Sequence, residues 1–165
     1  MATRSPADAM VALRSMGRRW RGLFAGLDED ESPDALARRQ GAEGRSALDH
    51  AAHATGTVRL LDRALEQIVV DDDATLYTAV TDSARRSWPT SSGGVDEVID
   101  ELAAAAEQLA DRADRVSSGD WTRRAAAAGG GEVDALSVLW DAVDTAVADL
   151  RAAEATLGDV RGRPV

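Results

Sequence analysis

The amino-acid sequence predicts an all-α protein, a four-helix bundle with short extra helices in its connections, and three observations carry that prediction. Four long stretches repeat apolar residues at three-then-four spacing, the mark of a helix with one buried stripe. No stretch alternates apolar and polar residues convincingly enough to read as a strand, and no repeat period is present. The length, 165 residues, suits one core, so residues 1–165 are read as a single helical-bundle domain.

The first long helix is placed at about 5–27. Ser5 is a good N-cap, Pro6 takes the first helical position and Asp8 lies in the first turn. Met10, Leu13, Gly17, Trp20, Phe24 and Leu27 make its stripe, with Arg14, Arg18, Arg19 and Arg21 on the wet side. A solvated acidic connection runs from Asp28 to Pro33, and Ser32-Pro33-Asp34 caps a short helix reaching Arg39, ended by Gly41 and Gly44.

The second long helix, 46–70, holds both histidines. Ser46 caps it, Asp49 supplies a carboxylate version of the capping box, and Ala51, Val58, Leu61, Leu65, Ile68 and Val69 recur at helical spacing. It stops at Asp71-Asp72-Asp73. As a calcium loop this triplet fails, because Leu76 and Asp82 stand where an EF-hand needs Gly and Glu. Residues 75–86 read as a short helix and Trp88 to Gly94 as a loop.

The third long helix, 95–116, carries Val95, Val98, Leu102, Ala105, Leu109, Arg112 and Val116 on a narrow seam. Trp121 follows as a lid over the bundle end. Ala125 to Ala128 with Gly129-Gly130-Gly131 reads as a flexible linker, since it has neither the Lys nor the spacing of a phosphate loop. The fourth long helix, 134–157, starts with Asp134 as N-cap, turns Leu136, Trp140, Val143, Val147, Leu150 and Leu157 inward, and ends near Gly158.

Composition excludes several chemistries. All 19 basic residues are Arg, and 29 acids leave a net charge of −10, which disfavours nucleic acid as a partner. With no Lys there is no Schiff-base nucleophile and no Walker lysine; with no Cys there is no disulfide, thiolate nucleophile or zinc–thiolate site. No run approaches the roughly 20 apolar residues of a membrane span, and the first residues lack the apolar core of a signal peptide, so the expected location is cytoplasmic. Exclusive Arg with abundant Ala, Gly and Asp matches the coding bias of a GC-rich bacterial genome. No Gly-x-Ser-x-Gly nucleophile elbow occurs.

Two segments carry a family resemblance. Gly44-Arg-Ser-Ala-Leu-Asp49-His-Ala-Ala-His53 is similar to the Trp-Ser-x-x-Glu-x-x-x-His pattern of the DinB/YfiT-like superfamily, which includes the N-terminal domain of mycothiol-dependent maleylpyruvate isomerases. Ala142 to Glu154 resembles the last-helix segment of the same superfamily. The resemblance spans nearly the whole chain. It implies a metal site with one His from the second helix and a His-x-x-x-His pair from the last, since residues four apart share a helical face.

Carried over position by position, His53 matches the first ligand, Asp144 stands at the second and Ala148 at the third, while Arg45 replaces the Trp. Alanine has no donor atom, so the tri-histidine site cannot assemble. A substitute set would be His53, Asp144 and Asp141, or one with Asp149, and such a set favours iron, manganese or magnesium over zinc or nickel. Against it stands a lost site in which these acids form a solvated face. His50 lies nearer the Leu61 and Ile68 stripe, so periodicity favours His50 as core-facing and the resemblance favours His53 as the ligand. His50 and Trp140 are also candidate pocket residues, although Trp20 and Trp140 sit at core spacing and read first as packing.

The expected function is that of a DinB-like bundle with a degenerate metal centre and no cofactor, binding a small molecule or serving a structural role. Two alternatives stand beside it. One is a metal-dependent transferase, hydrolase or isomerase that uses a low-molecular-weight thiol, with His53 and carboxylates holding zinc, nickel, manganese or iron. The other is an interaction bundle with no pocket. The resemblance and the Ala-rich helix faces imply a homodimer.

Overall fold

The computed structural model describes residues 4–27 and 32–161. Four long helices form the body: α1 (Pro6–Ala25), α3 (Ala47–Val70), α5 (Val95–Asp114) and α6 (Ala135–Arg161), with short α2 (Pro33–Ala37) and α4 (Thr78–Thr81) in the connections. Around the bundle α1 neighbours α5 and α6, and α3 neighbours the same two, so the cyclic order is α1, α5, α3, α6. The fold is therefore the helical bundle that the periodicity predicts. The acidic stretch at Asp28–Glu31 and the tail beyond Arg161 lie outside the described residues.

The helix starts follow the sequence closely. Ser5 accepts from the Asp8 amide, and Ser46 and Asp49 form a reciprocal capping box in which each side chain accepts the other's backbone N–H. Asp134 accepts from the Ser137 amide at the start of α6. Gly17 sits on the α1 stripe where that helix meets α5: a Cβ there would lie 2.7 Å from the Ala103 Cβ.

Two departures concern the connections. Residues 75–86 form no single helix: β1 (Thr75–Leu76), α4 and a 3-10 turn at Ser83–Arg85 take their place. The expected glycine linker is the turn of a β-hairpin, β2 (Arg124–Ala127) and β3 (Glu132–Asp134), with β1 parallel to β2 on its other side. Gly130 and Gly131 hold φ of +92° and +89°, the region open to glycine, so the three glycines make a tight reversal. Alternation over four residues at Arg124–Ala127, with Ala125 and Ala127 buried, was too short to separate from an alanine run. Trp121 lies in a 3-10 turn, Asp120–Thr122, half-buried against the core.

A third departure positions the site. The inward face of α6 consists of Ala135, Val138, Leu139, Ala142, Val143, Ala146, Asp149, Ala153, Leu157 and Val160. Leu136, Trp140, Val147 and Leu150 are only partly buried. The helix is apolar around much of its girth, and alanines at 135, 142, 146 and 153 make up much of its buried face.

Residues 71–94 then run back across the bundle as a strap. Arg86, 7% exposed, donates to both Asp141 carboxylate oxygens and to Thr145 Oγ1 on α6, and to the carbonyls of Ala79 and Val80. Further on, Arg38 donates to the carbonyls of Ser91, Ser92 and Gly93, and the Val95 amide donates to Asp34. Between these anchors Trp88 is laid over the first turns of α3.

Candidate functional site

Both histidines of α3 are buried, His50 at 5% exposure and His53 at 7%, and both turn toward one carboxylate on α6. Asp149 Oδ2 lies 2.7 Å from His53 Nδ1, and Asp149 Oδ1 lies 3.5 Å from His50 Nδ1. The first distance is a charge-assisted hydrogen bond; the second is an electrostatic contact, and His50 Nδ1 has no hydrogen-bond partner. Burial pushes the Asp149 carboxyl up, and the His50 and His53 imidazoles together outweigh it, holding the group below the usual carboxylate range. An ionised carboxylate only accepts, so His53 Nδ1 carries the proton and donates.

The open side of this cluster is closed by aromatic stacking. The Trp88 indole lies flat on His53, with ring centroids 3.8 Å apart and planes within 10°, and meets His50 edge-on at 5.4 Å. On its outer face the Arg45 guanidinium sits 3.5 Å from the indole centroid. The resulting order is cation, indole, imidazole, carboxylate. Arg45, which stands where the resemblance expects Trp, thus covers an indole supplied by the strap.

Asp144, Asp141 and Ala148 do not reach His53. Asp144 is exposed and pairs with Arg4 at 2.7 Å; Asp141 is held by Arg86; Ala148 is exposed. The register is one residue off: an i, i+4 pair at 144 and 148 points to solvent, whereas Thr145 and Asp149, also four apart, turn toward the strap and α3. Trp140 lines a separate depression of about 380 Å³ with Arg4, Leu136, Ser137, Asp141 and Asp144, so it shares no pocket with His53. The Asp149 partner was visible in the sequence as one of several acids, and only the alanine face of α6 could have singled it out. Trp88 had no such signal, because nothing local says which helix a loop tryptophan will cover.

The cluster does not fit a resident metal. A first-row cation needs about 2.0–2.2 Å to each donor and lone pairs converging on one point. Here the His53 nitrogen and the Asp149 oxygen bond directly to each other, leaving no room between them. Among the described residues no three His, Asp or Glu side chains form a group that could hold a metal ion.

Two cavities flank Trp88. One of about 420 Å³ lies between α3, α5 and the strap, lined by Thr55, Arg59, Ser87, Thr90 and Glu101 among others. The other, about 310 Å³, is lined by Arg45, Asp49, Trp88, Pro89 and Thr90. No helix in the described residues is long and apolar enough to cross a membrane.

The arrangement of the four long helices recurs in known structures. Two solved structures share it: mycothiol-dependent maleylpyruvate isomerase, 15% identical over 97% of this chain with a TM-score of 0.67, and a mutant of that isomerase, 14% identical over 96% with the same score. The chain spans 65% and 64% of those longer proteins, and at this identity the likeness is one of fold. No protein-family model and no curated protein sequence matches the chain.

Proposed function

We propose that this chain is a DinB-like bundle that binds a small molecule without a resident metal, its polar centre built from His53, His50 and Asp149. The carrying observation is that His53 Nδ1 and Asp149 bond to each other instead of converging on a shared cation position, and that no third His, Asp or Glu among the described residues completes a metal-holding group with them. The centre holds an ionised acid and two histidines under a removable indole, with two cavities beside it. That arrangement suits recognition of a small solute.

The test is metal analysis of the purified chain with thermal shifts. Metal should be substoichiometric, and zinc, nickel, manganese and iron(II) should leave the melting temperature unchanged. One equivalent of tightly held metal that disappears in His53→Ala would overturn the reading. It would favour instead a metal- and thiol-dependent transferase, hydrolase or isomerase with His53 and Asp149 as ligands. Size-exclusion chromatography with light scattering tests the expected homodimer separately.

A further inference from the structure

We propose that the slot between Arg45 and His53 is a binding site for a planar, electron-rich aromatic small molecule, and that Trp88 fills it in the ligand-free protein. The inference deepens the metal-free reading and rests on it, because it takes the His53 ring face as a stacking wall. The slot has two parallel walls of complementary chemistry: an imidazole face 3.8 Å below the indole and a guanidinium 3.5 Å above it. An aromatic ring with a negative π face satisfies both, by stacking below and by cation–π attraction above.

Trp88 has the marks of a replaceable occupant. It is 37% exposed, and its indole N–H donates to no described residue. Its neighbours in the strap, Ser87 to Thr90, make no backbone-to-backbone hydrogen bond among the described residues, whereas both flanks are fixed by arginines, Arg86 before and Arg38 after. Arg45 has no carboxylate partner among the described residues, so its charge is committed only to the ring beneath it. The His53 wall stands on α3 and is held by Asp149, so it persists when the indole leaves, and Arg45 precedes the Ser46–Asp49 capping box that fixes its backbone. The two flanking cavities share Pro89 and Thr90 of the strap as lining, next to Trp88.

Indole is the probe. Trp88→Ala empties the slot, and added indole should raise the melting temperature of that variant saturably and shift the His53 imidazole resonances. Trp88→Phe, where a ring refills the slot, should respond far less. Adding Arg45→Ala to Trp88→Ala should weaken indole binding about two- to fivefold, the range of an exposed cation–π contact. Wild type is tested directly by fluorine NMR of the 5-fluorotryptophan-labelled chain: of four tryptophan signals, Trp88 alone should move as indole is added.

Folded Trp88→Ala that ignores indole, or that binds it equally well with His53→Ala added, overturns the proposal. If Trp88→Ala does not fold, the wild-type spectrum decides, and an unmoved Trp88 signal overturns it. Tightly bound metal in wild type would instead overturn the metal-free reading, a result separate from any indole response.

Discussion

His53 and Asp149 are 96 residues apart in sequence and 2.7 Å apart across the interface of α3 and α6. Each is the other's desolvated partner. Replacing Asp149 by Asn keeps the shape but removes the charge that the donating imidazole faces. The expected cost is about 1–3 kcal/mol of folding stability, the range for stranding a buried polar group. Urea unfolding of Asp149→Asn against wild type measures it, and a difference under a few tenths would show that the bond contributes nothing net.

The same carboxyl sets a pH dependence. Its folded pKa is depressed below the ordinary value near 3.8, so its contribution is fully present above that value and is lost as pH falls through the lower folded pKa. Wild type should therefore lose stability below about pH 4 more steeply than Asp149→Asn. Melting temperatures of both proteins from pH 7 to pH 2.5 should converge at the acid end; parallel curves would contradict the assignment.

Arg86 is the strap's buried anchor, and Asp141 takes two of its bonds. Since Asp141 is partly exposed and solvent screens it, Arg86→Ala should cost less than a fully buried pair, about 1–3 kcal/mol. The local effect is more diagnostic. Amide exchange over residues 78–90 should accelerate by at least tenfold while α1 and α5 stay protected. Uniform acceleration would mean the strap unfolds only with the bundle.

At Gly17, α1 lies close against α5. Gly17→Ala puts a methyl 2.7 Å from the Ala103 methyl and should destabilise by about 1–3 kcal/mol despite alanine's better helix propensity. Ala103→Gly in the same chain should restore part of the loss, which a double-mutant cycle reads directly.

Much of the bundle was legible because its signals are local. Caps at Ser5, Ser46 and Asp134 and the stripes of α1 and α5 depend on neighbours within a turn or two. The rotation of α6 was not legible in the same way. Leu136, Trp140, Val147 and Leu150 look like a core stripe by bulk, but the buried face is the one that mixes alanines with Val138, Leu139, Val143 and Leu157, since helix packing is decided by both partners at once. A rotation of one residue about α6 separates Asp144, which faces solvent, from Asp149, which faces His53. His53 was singled out through a short pattern at the start of its helix. Trp88, Arg86 and the hairpin escaped because each is defined by a long-range contact: indole on imidazole, guanidinium on Asp141, β1 on β2.

The strap's two arginine anchors also set a leash. Between Arg86, held on α6, and Ser91, held by Arg38, only four residues intervene, and five peptide steps span at most about 18 Å when fully drawn out. The backbone around Trp88 has little slack for a large excursion. Access to the two imidazoles is therefore governed by rotation of a single side chain, on the nanosecond scale of exposed rotamers rather than the microseconds to milliseconds of a hinged lid. Entry of a solute would then be limited by its arrival at the surface, with no slow opening step visible in stopped-flow traces.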